Sequence, residues 1–83
     1  MLLRKNHAIL ICMKIVFTDH AKKRILERSI PIRYIREAII SPTLIKPSYY
    51  PTEIIQKITP EGTLEIILKK INTTFIIITL YYL

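Results

Sequence analysis

The two C-terminal segments, 64–71 and 74–82, constrain the fold more than any other part of the chain. Both are rich in isoleucine, and only Asn72-Thr73 separates them. β-Branched residues suit a pleated, half-buried surface, and strands joined by two residues pair as an antiparallel hairpin. The second segment is the more apolar one and is predicted to be central in the sheet, or buried on both faces. The chain must therefore contain a substantial antiparallel sheet.

Length and composition favour one small domain. The 83 residues can bury only a modest core, but apolar residues make up 51% of them. The single cysteine, Cys12, excludes an internal disulfide and favours a reducing compartment. The apolar stretch over 71–83 is too short to span a bilayer. We expect a cytoplasmic protein with one domain over residues 13–83, preceded by an N-terminal extension over residues 1–12.

Proline residues set the boundaries of the remaining elements. Ile30-Pro31 ends one helix and begins the next, because proline fits the first turn of a helix, and Ser41-Pro42 ends the second. The elements predicted before the C-terminal pair are a strand from Met13 to Phe17, helices over 19–28 and 32–40, a short strand at Leu44 and Ile45, and a strand over 52–59. The predicted class is α+β, with an N-terminal strand and two short helices packed on one face of a three- to four-stranded antiparallel sheet.

With both helices on one face, the other face of the sheet is left partly apolar. Its predicted apolar members are Ile67, Ile76, Ile78 and Leu80. An exposed apolar patch usually has a partner. We therefore expect self-association, as a homodimer through this face, or the docking of another chain. Sedimentation of a clean monomer at high protein concentration would contradict this expectation.

The first predicted helix carries a polar stripe beside its core-facing side. At about 100° per residue, His20, Arg24 and Arg28 follow one another at i, i+4 and i+8. Ala21 and Ile25 lie beside this basic stripe on the core side. Two guanidiniums and an imidazole on such a rim are suited to bind an anion or a phosphate.

The charge of the chain indicates a polyanionic partner. Its formal net charge is +7, and between His20 and Arg36 six basic residues face a single acid, Glu27. This concentration favours nucleic acid, and no membrane partner is expected. The alternative is an ordinary solvated surface. Two histidines and one cysteine lack the spacing of a metal site, and one glycine cannot form a glycine-rich phosphate loop, so no metal and no cofactor is expected.

Several stretches of the domain form a recognisable pattern. They are His20-Ala21-x-x-Arg24-x-x-x-Arg28-x-Ile30, an amphipathic helix with Ile35 and Ala38, then Pro42, Ile45 and Ile78-Thr79-Leu80-Tyr81. This pattern resembles a small prokaryotic domain-of-unknown-function family, number 4258, over nearly the whole domain. The resemblance implies a relationship to RelE-type toxins and to the wider group of barnase-like, colicin-type ribonucleases. Family members commonly have glycine where this chain has Ser29, and serine or threonine where it has Pro31.

The resemblance implies RNA cleavage without a metal ion. Such cleavage needs a base for the ribose 2′-hydroxyl, cations for the phosphate and an acid for the leaving oxygen. His20 is the candidate general acid or base, because imidazole titrates near neutrality. Arg24 and Arg28 would hold the phosphate. Thr79 and Tyr81, on one face of the last strand by period-two spacing, would position the substrate through their hydroxyls.

The leading interpretation is a RelE-like endoribonuclease. A narrower form of this interpretation is the toxin of a toxin–antitoxin pair, with an acidic antitoxin protein as its partner. Further RNA contacts are expected from charged residues and from tyrosines that stack on bases; they are Lys22, Lys23, Arg33, Tyr49 and Tyr50. The alternative is a non-catalytic RNA-binding or protein-interaction module on the same fold. In that alternative His20 hydrogen-bonds a backbone group, and the arginines pair with carboxylates such as Glu27, Glu53 or Glu65.

Overall fold

The computed structural model describes residues 13–83, which form two helices and a five-stranded sheet. The elements are β1 Lys14–Phe17, α1 Asp19–Arg28, α2 Ile32–Ile40, β2 Leu44–Lys46, β3 Thr52–Thr59, β4 Gly62–Ile71 and β5 Thr74–Tyr82. The predicted α+β class and element order are confirmed. The predicted extension over residues 1–12, with Cys12, lies outside the described residues. Neither helix combines the length and the apolar character that a membrane crossing requires.

A threonine cap fixes the start of α1 against the sheet. The Thr18 hydroxyl accepts a hydrogen bond from the backbone N–H of Ala21 at 3.1 Å and donates one to the carbonyl oxygen of Ile78 at 2.8 Å. Asp19 follows in the first turn, where its negative charge interacts favourably with the helix dipole. The cap therefore links the first turn of α1, which carries His20, directly to β5.

The end of α1 places a non-glycine residue in the left-handed region. Ser29 has φ 50° and ψ 48°, and the next backbone N–H, that of Ile30, bonds the carbonyl oxygen of Ile25 at 3.1 Å. This turn buries Ile30 in the core. A left-handed conformation costs an L-residue with a side chain roughly 1–2 kcal/mol, a cost that glycine avoids.

Ser29→Gly is therefore expected to raise the free energy of unfolding by about 1 kcal/mol. Chemical denaturation followed by circular dichroism measures the change. Ser29→Ala is the matched control, because it removes the hydroxyl but keeps the strained backbone, and it should leave stability close to that of the wild type. Equal stability of the glycine and alanine variants would contradict a strained helix end.

The second helix buries a face slightly different from the predicted one. Tyr34, Ile35, Ala38 and Ile39 are buried, whereas Ile32 remains 44% exposed. The helical spacing of Ile32, Ile35, Ala38 and Ile39 predicts one shared buried face. For Ile32 that prediction is wrong, because this first-turn residue lies at the outer edge of the sheet, where it borders cavities beside β1. The Tyr34 hydroxyl donates a hydrogen bond of 2.5 Å to Glu61 in the β3–β4 turn.

The sheet is mixed, with the strand order β1-β5-β4-β3-β2. The strands β2, β3, β4 and β5 pair antiparallel, but β1 pairs with β5 in parallel, from Lys14 opposite Thr74 to Phe17 opposite Ile77. The prediction included the strand β1 but not its parallel pairing with β5, so the sheet has five strands and is mixed instead of three- to four-stranded and antiparallel. The middle strand is β4, and β5 lies between β4 and β1. The Asn72-Thr73 turn is confirmed, with Asn72 at φ 54°.

A β-bulge changes which side chains of β5 face the helices. Ile67 pairs with Thr79 and Leu68 pairs with Ile77, so Ile78 is the extra residue. Beyond the bulge Leu80 is fully buried beneath the helices. The prediction that Leu80 lies on the uncovered face is wrong, because strict period-two spacing does not continue through a bulge. We call the sheet face that the helices do not cover the open face.

Candidate functional site

His20 and Thr79 meet at the end of the short edge strand. The Nε2 atom of His20 lies 3.0 Å from the Thr79 hydroxyl oxygen. Pairing between β1 and β5 stops at Phe17 and Ile77, so Thr79 lies two residues past the end of β1. The imidazole is exposed to solvent. The structure therefore brings together two predicted site residues that are 59 positions apart, through a side-chain contact instead of the backbone contact of the alternative interpretation.

The two arginines of the basic stripe continue along α1 from His20. Arg24 is half-buried and Arg28 is exposed, at about 6 and 12 Å along the helix axis from His20. Ala21 is fully buried and Ile25 packs against the core, as predicted. Within residues 13–83 neither guanidinium forms a hydrogen bond or an ion pair.

A buried carboxylate lies on the open face near the contact between His20 and Thr79. Glu65 is 5% exposed, and Gln56 and Tyr81 lie directly opposite it on the two neighbouring strands. The Gln56 amide donates to Oε1 of Glu65 at 2.8 Å, and the Tyr81 hydroxyl donates to Oε2. Lys46 adds a contact of 3.3 Å to Oε1. We call Gln56, Glu65 and Tyr81 the polar row.

The protonation states of the polar row follow from these hydrogen bonds. The Tyr81 hydroxyl, then the Gln56 amide, lower the pKa of the Glu65 carboxyl, and they outweigh the opposing effect of burial. The same carboxylate, helped by burial, raises the pKa of Tyr81. At neutral pH Glu65 is thus charged and Tyr81 keeps its proton. The Lys46 side chain is 44% exposed, so solvent screens its ion pair and the pair contributes little.

Thr79 and Tyr81 share one face of β5, as their spacing predicted. They lie opposite Ile67 and Glu65, which are themselves two residues apart on β4. The Tyr81 hydroxyl is committed to Glu65, so Tyr81 borders the site and holds the carboxylate in place. Sequence reasoning considered Glu65 only as a partner for the arginines. A single acid inside the apolar segment 64–68 was a signal that it has a built environment.

The predicted RNA-contacting residues fall on separate surfaces. Lys22 and Lys23 are exposed on α1, near the basic stripe in sequence, and Lys22 also borders an apolar cavity on the helix side. Arg33 lies in α2 with its guanidinium 5.2 Å from the centre of the Tyr34 ring. Tyr49 and Tyr50 are 92% and 91% exposed in the loop that follows β2. Only some of these residues can contact one ligand together with His20.

Tyr50 borders a cavity at the β2 edge of the sheet. The cavity has a volume of about 290 Å³, and its lining includes Lys46, Ser48, Thr52 and Lys70. By the strand register Ile45, Glu53 and Lys70 of this lining lie on the face that the helices cover, whereas Lys46 contacts Glu65 on the open face. Tyr49 lies outside the lining of this cavity.

Residues 13–83 contain no group of three or more histidine, cysteine, aspartate or glutamate side chains placed to hold a metal ion. The groups that the structure places at the site are an imidazole, guanidiniums, a carboxylate and hydroxyls. Comparisons of the chain with protein-family models, with curated proteins and with solved structures found no match.

Proposed function

We propose that this protein is a small RelE-like endoribonuclease that binds single-stranded RNA on the open face and cleaves it beside His20. The observation that carries the proposal is the contact between His20 and Thr79. It holds an exposed imidazole where the basic stripe begins and where, within residues 13–83, no strand pairs with the outer edge of β5. The imidazole can serve as the base, and the guanidiniums as the cations, that metal-independent cleavage of RNA requires.

The proposed reaction is an attack of the ribose 2′-oxygen on the adjacent phosphorus. The Nε2 atom of His20 takes the proton of the 2′-hydroxyl as the bond from O2′ to phosphorus forms. The bond from phosphorus to the 5′-oxygen breaks, and that oxygen takes a proton from water. The products end in a 2′,3′-cyclic phosphate and a 5′-hydroxyl. The imidazole must carry its own hydrogen on Nδ1, and the substrate hydroxyl replaces the Thr79 hydroxyl as its partner.

Electrostatics orients the bound strand. Arg24 and Arg28 attract the phosphates toward α1 and neutralise the charge that develops on the reacting phosphate. The Glu65 carboxylate, which is charged at neutral pH, repels phosphate from the polar row. The sugar–phosphate backbone therefore lies on the α1 side of Thr79, and the bases lie over the open face.

A non-catalytic RNA-binding module is the second candidate. The observation that favours it is the engagement of His20 Nε2 by Thr79, which a substrate must displace before the imidazole can act. The same contacts would then bind RNA without breaking a bond. In either case an acidic protein that covers the basic stripe would inhibit RNA binding, as an antitoxin does. A homodimer that forms through the open face would also compete with RNA binding.

Arg24→Ala is expected to lower affinity for single-stranded RNA by about tenfold, because it removes one phosphate contact, and to reduce the steepness of the salt dependence. Fluorescence anisotropy with a 2′-O-methylated oligonucleotide, which cannot be cleaved, measures affinity at several salt concentrations. Arg36→Ala is the charge-matched control, since Arg36 is exposed on α2 in the helix layer. Equal losses from the two substitutions would show that only net charge matters.

A further inference from the structure

Two cavities beside β1 join into one groove. One cavity, of about 290 Å³, is lined by β1 and by both helices, and the other, of about 150 Å³, is lined by the β1 side and by α2. Phe17 and Ile32 line both cavities, which are therefore continuous. We call them together the β1 groove, and its apolar lining residues are Met13, Ile15, Phe17, Ile25, Leu26 and Ile32.

The apolar lining of the β1 groove remains accessible to solvent. Leu26 is 81% exposed and Ile32 is 44% exposed. Phe17 and Ile25 pack against the core on one side but are only half-buried. Single hydrophobic residues on a surface need no explanation, whereas a contiguous exposed apolar patch usually marks an interaction site.

The charged residues of the β1 groove are both cationic. Lys22 on α1 borders the larger cavity, and Arg36 on α2 borders the smaller one. No aspartate or glutamate among residues 13–83 lines either cavity. Glu27 and Glu37 each follow a groove residue by one position, so the helical twist of about 100° per residue turns them away from it. The groove is therefore complementary to a surface that combines apolar and acidic side chains.

The β1 groove is separate from the site at His20. On α1 Arg24 of the basic stripe immediately precedes Ile25 and Leu26 immediately follows it, so the stripe and the groove lie on opposite sides of this core-facing residue. On β1 Ile15 and Phe17 lie opposite buried residues of β5, which places them on the helix side of the sheet. A ligand in the groove therefore covers neither the basic stripe nor the open face.

The length of the β1 groove suits a short helix. It follows β1 from Met13 to Phe17, and four steps of about 3.3 Å make this path about 13 Å long. An α-helix covers that distance with about nine residues, which is about two and a half turns. Such a helix can present apolar anchors at positions i, i+4 and i+7. It also satisfies its own backbone hydrogen bonds, so it can lie on an apolar surface without unpaired N–H and C=O groups.

We infer that the β1 groove is a docking site for an acidic amphipathic helix of a partner protein. The apolar stripe of that helix lies against Leu26 and Ile32, and its acidic residues face Lys22 and Arg36. This inference does not depend on the proposed function, because neither His20 nor Thr79 lines the groove.

A designed pair of helical peptides tests the chemistry of the partner. One peptide carries leucines at i, i+4 and i+7 with glutamates beside them, and the other carries lysines in place of the glutamates. Fluorescence anisotropy is expected to show that the folded protein binds the glutamate peptide at least about tenfold more tightly. Equal affinities for the two peptides, or binding of neither, would overturn the proposal.

Protein variants matched in charge separate the β1 groove from the net charge of the protein. Leu26→Lys and Arg36→Glu are each expected to weaken binding of the glutamate peptide by about tenfold. Ile58→Lys and Lys69→Glu make the same changes of charge at exposed positions of the open face and should alter affinity by less than about twofold. Because all four replaced side chains are exposed, the variants should fold, which circular dichroism verifies.

Equal losses within either matched pair would show that the peptide responds to net charge alone and would overturn the groove as its site. Amide chemical shifts, followed by NMR as the glutamate peptide is added, locate the bound peptide. The expected changes are at Phe17, Leu26 and Ile32. Changes confined to open-face residues such as Ile54 and Ile67 would place the peptide there and contradict the proposal.

Discussion

Glu65→Ala is expected to lower the free energy of unfolding by about 2–4 kcal/mol. The substitution removes the acceptor for the Tyr81 hydroxyl and the Gln56 amide, and it leaves the donors of these two half-buried residues without that partner. Urea denaturation followed by circular dichroism measures the loss. Glu27→Ala is the control, because Glu27 is an exposed acid on α1 and should change stability by less than about 0.5 kcal/mol.

The pH dependence of this effect distinguishes a charged carboxylate from a merely polar side chain. Folding lowers the pKa of Glu65, so its stabilisation is fully present above the unfolded pKa, near 4.3, and is lost as pH falls through the lower folded pKa. Glu65→Gln has no carboxyl group at this position and therefore lacks this pH-dependent stabilisation. The advantage of the wild type over Glu65→Gln should therefore shrink on acidification, and a difference that stays constant with pH would contradict this account of Glu65.

Replacement of His20 carries the largest expected effect on function. His20→Ala is expected to reduce RNA cleavage by about 10²- to 10⁴-fold, because it removes the group that takes the 2′-hydroxyl proton. Binding of 2′-O-methylated RNA should change far less, which separates catalysis from affinity. His20→Gln is the sharper variant, since its amide can still hydrogen-bond Thr79 but cannot take up a proton at neutral pH. Cleavage that survives in both variants would remove His20 from the mechanism.

The local features of the fold were predictable because they depend on nearby residues. Thr18 caps the first helix, Pro31 begins the second, and Asn72 forms the hairpin turn. Each of these signals acts within a few positions of itself. The positions of the helices and of the long strands could therefore be predicted from the sequence to within one or two residues.

The long-range register was not predictable in the same way. The bulge at Ile78 lies one residue past the last pair between β5 and β1, and no local residue pattern marks it. It moves Leu80 to the core and leaves Thr79 on the same face as Tyr81. The parallel pairing of β1 likewise depends on the direction of a strand about sixty positions later in the chain.

The candidate site likewise combines residues that could be predicted from local pattern with contacts that could not. The helical periodicity identified His20 and the arginines, whereas the contact with Thr79 required the fold. Glu65 was missed as a site residue because its partners come from three other strands, at Lys46, Gln56 and Tyr81. A sequence shows the neighbours of a residue along its own strand, and a buried carboxylate is defined by its neighbours across strands.

The most direct test of the central claim is mass spectrometry of the products after the purified wild-type protein is incubated with single-stranded RNA in the presence of a chelator. The account expects fragments that end in a 2′,3′-cyclic phosphate, and it expects a single 2′-deoxynucleotide at the cleaved position to block cleavage there. Bound but intact RNA would contradict cleavage and favour the binding module. Cleavage that persists at the 2′-deoxynucleotide would contradict the proposed attack by the 2′-oxygen.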